Sequence, residues 1–455
     1  MIMAGESRKR NFSTLMVFLV AAALACLIFP EIAASGAYPA LVRQYPGGGD
    51  SYWTRVSTGL DAQGNIYVTR IIGSLTDWDY LIIKYNPAGR RLWVRRHTEP
   101  DNAYDETGAM SVDSKGNVYV TGRSLQEAGW VGVIIKYSTD GQRLWVRRYK
   151  GLGNQGFFPR AMALDSQGNI YITGSSLSST SDYFVYTTVK YNSDGRRVWV
   201  GHYSGPNPYN DQATAIAVDQ HNNVYVTGSS RGIGGNDFAT IKYTPDGRQL
   251  WVARDASPTG DTEEPCAIAV DVQGNVSITG GKWGIARTIN YGPDGQRLWS
   301  QREYLGNYGA PSSLAKDNQG NVYFTGTVFE FDPGHGCSGC YSEGHIVKYG
   351  PDGQMVWWRD IGYPRGSAGA IALDGQGNVY VTGHSDDKFA ITTIKYGPEG
   401  EILWEQKHSP GFFSGARNLA VDSWENVYIT GFLGIPGTIS EIYTIKYVQT
   451  PRTGR

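Results

Sequence analysis

The sequence predicts an all-β protein, an eight-bladed β-propeller of four-stranded antiparallel blades. Three observations carry this. A pattern typified by residues 107–149 recurs along most of the chain with a period near 50 residues, the signature of a propeller or a solenoid. Its markers are phased. The asparagine of G-N-V-Y-V-T-G stands at Asn65, Asn117, Asn169, Asn223, Asn275, Asn321, Asn378 and Asn426, and the tyrosine of I-K-Y at Tyr85, Tyr137, Tyr191, Tyr243, Tyr291, Tyr349, Tyr396 and Tyr447. The third marker, a tryptophan, occurs only seven times: Trp93, Trp145, Trp199, Trp251, Trp299, Trp357 and Trp404.

The missing tryptophan decides between ring and solenoid. The last unit stops just after I-K-Y, and Leu41-Val42-Arg43-Gln44-Tyr45 near the start matches W-V-R-R-Y at Trp145–Tyr149. The beginning of the chain therefore supplies the strand its end lacks, which closes a ring and removes its exposed edges. Residues near 41–45 are expected to pair beside 441–447.

From the N-terminus, residues 1–37 read as a signal peptide. Arg8-Lys9-Arg10 is basic, the apolar run from Leu15 to Phe29 is short for a membrane span, and Ser35-Gly36-Ala37 offers a cleavage site before Tyr38. An uncleaved anchor is the rival reading, and a lipoprotein fits less well. The propeller is expected over 38–448 and a disordered tail over 449–455. Removing residues 1–37 leaves 38 Lys+Arg and 40 Asp+Glu out of 41 and 42. That balance argues against nucleic-acid binding, which draws on clustered bases. Export predicts a periplasmic, extracellular or cell-surface protein with no membrane contact once the leader is gone, and a monomer.

Within a unit, the first strand is small and apolar, as in Ala215–Asp219, and suits the crowded axis. V-Y-V-T-G, A-T-I-K-Y and R-L-W-V-R-R-Y follow. The first-to-second turn is D-x-x-G-N and the third-to-fourth ends in Asp-Gly or a close variant, both tight-hairpin chemistry. A loop as short as D-x-x-G-N does not wrap a calcium ion. The other two connections vary in length. In a meander both leave from one side, so all variation falls on one rim, the default functional face.

V-Y-V-T-G followed by I-K-Y-x-x-D-G-x-x-L-W resembles the bacterial β-propeller repeat called SBBP, from Leu41 to Val448. That resemblance implies the propeller fold and an exported or cell-surface location more than any chemistry. D-G-x-x-L-W also partly resembles the tryptophan-docking repeat of quinoprotein dehydrogenases and outer-membrane assembly propellers. This resemblance implies that the seven tryptophans lock adjacent blades. The A-x-D-x-x-T-G-K segment and the adjacent cysteine pair of the quinoproteins are missing.

The candidate sites follow from exceptions to the repeat. Arg55, Arg160 and Arg417 open first strands and follow Trp53, Phe158 and Phe412, a combination suited to an anion or a sugar acid. The fourth-to-first loops mix carboxylates with aromatics, Tyr209 and Asp211 among them, with Glu263 and Glu264 in another. The longest insertion carries His335, Cys337 and Cys340, with His345 beyond it. These four can bind a metal, or Cys337 and Cys340 can form a disulfide. No other cofactor is expected. Cys266, at the start of a first strand, is expected to be a small buried apolar residue, and the I-K-Y lysines to lie between blades.

No motif marks a nucleophile elbow or a zinc-protease helix. The expected function is therefore non-enzymatic: an exported binding or scaffolding propeller whose variable loops take a protein or glycan at the cell envelope. The alternative is an enzyme with its site at the channel mouth, a quinone-dependent dehydrogenase or a polysaccharide lyase or hydrolase. A third class is an assembly factor that offers a blade edge to a partner strand.

Overall fold

The computed structural model describes residues 37–449 except 46–55, 75–76, 100–104, 128, 179–182, 208, 233, 257–262, 331–340, 362–365, 386–389, 410–413 and 434–440. Residues 1–36 of the predicted leader, and Trp53, Arg55, Phe412, His335, Cys337 and Cys340, lie outside the described residues. What is described is all-β, apart from one short 3-10 turn at Leu152–Asn154. No described helix is long and apolar enough to cross a membrane.

The strands form eight four-stranded antiparallel sheets. Seven are simple meanders, such as blade 2: Asp105–Val112, Val118–Gln126, Gly129–Tyr137 and Arg143–Tyr149. The eighth takes Ser414–Val421, Val427–Leu433 and Glu441–Gln449 from the end of the chain and Ala37–Tyr45 from its start. Leu41 stands opposite Lys446, the register at which Trp145 faces Lys136 in blade 2. The pairing is longer than expected, running from Ala37–Gln449 to Tyr45–Ile442. Ala37, which the sequence reading gave to the leader, is buried within this strand.

The ring follows from how the cores are made. There are eight buried apolar clusters, and each joins two successive blades. One holds Tyr67, Ile82 and Trp93 of blade 1 with Val118, Val120 and Ile135 of blade 2. Another joins Tyr428 and Ile442 of blade 8 to Ile66, Val68 and Ile83 of blade 1. Period-two strands put alternate residues on opposite sheet faces. In V-Y-V-T-G the valines therefore meet one neighbour and the tyrosine and threonine the other. Both faces are covered, and Val118 through Gly122 are buried without a break.

One motif welds each blade to the next. The carbonyl two residues beyond the I-K-Y tyrosine accepts two donors from the preceding blade. Thr139 O takes Lys84 Nζ at 3.0 Å and Trp93 Nε1 at 2.9 Å. Pro245 O takes Lys190 and Trp199, and Pro293 O takes Lys242 and Trp251. A carbonyl has two lone pairs, and this one fills both. The lysine also lies over the second-strand tyrosine, Lys84 at 4.8 Å from the Tyr67 ring centre. The tyrosine hydroxyl donates to the turn aspartate, Tyr67 to Asp61 Oδ2 at 2.9 Å. That aspartate also accepts from the Gln63 and Asn65 amides and from Asn65 Nδ2. Its oxygens are satisfied by protein donors.

The turn that carries the carbonyl needs glycine. Gly141 has φ +77°, and a Cβ there would meet the Trp93 ring at 2.9 Å.

Three interfaces depart from the motif: at the blade 8–1 seam Leu41 holds the tryptophan slot and Pro87 O takes Lys446 without an indole partner, and the other two show how the motif works. Blade 5 has Asn290 for the lysine and Ser277 for the tyrosine. The two replacements bond to each other at 2.9 Å, and Lys316 from blade 6 enters to reach Asp271 at 2.9 Å. At the blade 7–8 interface the third-to-fourth turn is replaced by the two chain ends. Lys395 turns instead to the Glu425 and Gln449 side chains. The Trp404 indole N–H, buried, has no hydrogen-bond partner among the described residues. Trp357→Phe should therefore cost more stability than Trp404→Phe, by about 0.5–1.5 kcal/mol, the net worth of one hydrogen bond. Urea denaturation of the two variants measures the difference; equal losses would show that the indole bond contributes nothing.

Candidate functional site

Each first strand lines the central axis, and among the described residues seven carry a β-bulge at one shared position. The register slips at Thr107/Ala109, Pro159/Ala161, Ala213/Ala215, Pro265/Ala267, Pro311/Ser313, Ala368/Ala370 and Ala416/Asn418. The residue in the middle falls outside the ladder register and is re-aimed. These residues are Gly108, Arg160, Thr214, Cys266, Ser312, Gly369 and Arg417. The bulge stands near the start of its strand, at the end from which the variable loops leave. A ring of seven re-aimed positions thus lies at the variable mouth of the channel.

Of the three predicted arginines, the bulge takes two. Arg160 and Arg417 are both exposed there. Arg55 lies outside the described residues, so its relation to these positions rests on the sequence alone. Arg417 stands in blade 8 and Arg160 in blade 3, with two blades between them.

Around Arg160 the structure builds a groove that the sequence did not assemble. A cavity of about 200 Å³ is lined by Glu106, Arg123, Phe158, Arg160, Phe184 and Gln212. A second, of about 540 Å³, is lined by Arg160, Tyr209, Gln212, Arg231, Glu264 and Cys266. The two share Arg160 and Gln212, so they run together over blades 2 to 5. Phe158 is half-buried and packs between Trp130 and Phe184, at ring separations of 6.0 and 5.3 Å. Arg123 lies over Trp130 at 4.3 Å and grips Glu106 with two hydrogen bonds of 2.8 and 2.9 Å. Phe158 thus forms the wall, and the open aromatic surface is elsewhere. Tyr209 and Tyr183 pair at 5.2 Å, 52% and 36% exposed.

The charge balance of the groove is positive. Glu106 is held by Arg123, and Glu264 by Lys282 at 2.8 Å. Among the described residues the guanidinium groups of Arg160 and Arg231 make no ion pair; Arg231 lies over the Tyr209 ring at 5.8 Å. The rim carboxylates Asp211 and Glu263 are structural. Asp211 accepts the Gly205 and Arg231 amides, and Glu263 binds Arg287 at 3.0 Å. Sequence reasoning missed Arg123 and Arg231. Both follow the V-T-G glycine on second strands, and only the ring places them beside a first strand of the next blade.

Cys266 is not the buried apolar residue expected. It occupies the bulge of blade 5, exposed to the groove, because a bulge turns the extra residue out of the packed ladder. Its thiol donates to Thr279 O at 3.5 Å. Although the residue opens on the groove, the strands packed around the bulge bury the sulfur's surroundings, and that burial pushes the thiol up to about 12.

His345 is described, on the third strand of blade 6, beside Glu343 and Asp360. The I-K-Y lysines lie between blades, as the carbonyl contacts above show, and do not ring the channel.

Comparison with known proteins agrees with this architecture. The β-propeller repeat SBBP matches residues 144–179 and 203–235. With eight four-stranded blades around one axis, the chain is a β-propeller repeat protein. No curated protein matches it in sequence. Among solved structures it is similar to Sqt1 from Chaetomium thermophilum, at 9% identity and a TM-score of 0.57, over 90% of this chain and all of that one. It is also similar to the polysaccharide lyase Uly1, at 10% identity and a TM-score of 0.47, over 75% of this chain and 89% of that one. These likenesses concern the fold alone.

The raised thiol makes a prediction. Thiolate is the reactive form, so alkylation of Cys266 should accelerate about tenfold per pH unit from pH 7 to 10 with no plateau. Iodoacetamide kinetics on a protein with Cys337 and Cys340 changed to serine would show this; a plateau below pH 9 would mean an ordinary or activated thiol.

Proposed function

We propose that this is an exported binding propeller of the periplasm or cell surface, and that its variable face takes an acidic glycan along the groove over blades 2 to 5. The observation that carries the reading is the pair of guanidinium groups, Arg160 and Arg231, without carboxylate partners among the described residues and lining one opening. A carboxylated sugar supplies what they lack. Guanidinium binds carboxylate with two parallel hydrogen bonds, and the exposed Tyr183–Tyr209 pair offers flat apolar faces for sugar rings. Gln212, shared by both cavities, adds a neutral hydrogen-bonding group between them. The tight turns on the opposite rim leave that side with little to vary.

The test is calorimetric titration with uronate oligosaccharides and with the same oligosaccharides after carboxyl reduction. The unreduced series should bind, the reduced series at least tenfold more weakly, and Arg160→Ala and Arg231→Ala should each lose about tenfold, near the 1.4 kcal/mol of one partly exposed charged contact. Equal binding of both series, or unchanged binding in the double variant, would contradict the reading. Appearance of an unsaturated uronate during the titration would instead make the protein a lyase, the enzymatic alternative.

A further inference from the structure

Blade 6 departs from the repeat at one place on its outer strands. The sixth residue of R-L-W-V-R-R-Y is a base in six blades: Arg96, Arg148, His202, Arg254, Arg302 and Lys407. In two of these blades the third strand answers it with an acid, in the pairs Arg96–Asp79 and Arg254–Asp237. In blade 8 the position is Gln44, and in blade 6 it is Asp360. The residue directly across from Asp360 is His345, and Glu343 lies two residues before it on the same strand face. Where the repeat puts a base against an acid, blade 6 puts two acids around one imidazole.

The geometry points to a divalent transition-metal site formed by Glu343, His345 and Asp360, and we propose a zinc-class cation as its ligand. His345 Nε2 lies 2.9 Å from Asp360 Oδ1 and 3.5 Å from Glu343 Oε2. A neutral imidazole carries at most one hydrogen on that nitrogen, which can point well at only one of the two oxygens. The three ligand atoms all lie within 4.8 Å of one another. A cation with bonds of about 2.0–2.2 Å holds neighbouring ligand atoms roughly 2.8–3.6 Å apart, from octahedral to tetrahedral angles, a range that includes both measured separations. Imidazole nitrogen with carboxylate oxygens is the donor set of zinc and its neighbours, rather than of calcium.

Two further features fit. Among the described residues no lysine or arginine pairs with Glu343 or Asp360, so the two carboxylates lack the cation their counterparts have. Trp358 stacks on His345 at 5.5 Å with a 26° tilt, which fixes the ring plane. Glu343 and His345 are half-buried and Asp360 is more open, so the site faces solvent on one side and keeps coordination positions free for water or a ligand.

Titration of the full chain with Co²⁺, read by its visible absorption, and competition with Zn²⁺ test this. One equivalent should bind. His345→Ala and Glu343→Gln should weaken Zn²⁺ binding by about 100-fold or more, and Asp360→Asn by about tenfold, at or above the losses seen for residues that only support ligands. Metal-free melting temperatures of Glu343→Gln and Asp360→Asn should match that of the unaltered protein, which separates ligand loss from misfolding. No stoichiometric binding, or full affinity in His345→Ala, would overturn the proposal. So would binding lost in Cys337→Ser/Cys340→Ser while all three ligand variants keep it.

Discussion

The structure depends on one doubly bonded carbonyl. In five interfaces, the peptide oxygen two residues past the I-K-Y tyrosine accepts a lysine and a tryptophan from the blade before it. The lysine is buried, and burial lowers the pKa of Lys84, Lys136 and Lys190. A buried ammonium without acceptors is costly, so the repeat must carry lysine, tyrosine, turn aspartate and carbonyl together. Such a set cannot drift one residue at a time. Blade 5 shows this directly, since lysine and tyrosine are both gone and an incoming Lys316 fills the space.

Because each carbonyl belongs to the next blade, no blade is complete alone. The core lies between sheets rather than within them, and a repeat array of this kind is held by its neighbour interfaces. An open array would leave two end faces uncovered. The N-terminal strand solves this, and Lys446 reaches Pro87 O at 3.1 Å across the seam. The same scaffold separates an invariant rim from a variable one and sets the bulge ring at the variable mouth. The groove and the blade 6 cluster both lie on that variable side, each where one unit departs from the pattern of the others.

The fold was legible because it is written eight times. Phased markers revealed strands, turns and blade number, and the absent tryptophan revealed the closing strand. The candidate site was legible only in part. Arg160 and Arg417 could be seen, because a charge in a small apolar strand is conspicuous. Arg55 was grouped with them on the same ground and lies outside the described residues. Arg123 and Arg231 were missed because their neighbours lie in another blade, about 37 residues away for Arg123 and Arg160. Cys266 looked like a core residue for the same reason: its neighbours are apolar, yet the bulge turns it outward. Glu343 and Asp360 became visible only when His345 was set against the equivalent positions of the other blades.

Residues 37–45 are a structural strand of the last blade. Hydrogen–deuterium exchange of the intact protein tests it most directly. Amides of 37–45 should be protected together with those of 441–449 and should open in the same step, because the two segments share one ladder. Exchange of 37–45 at free-chain rates, with 441–449 still protected, would contradict it and leave the ring open.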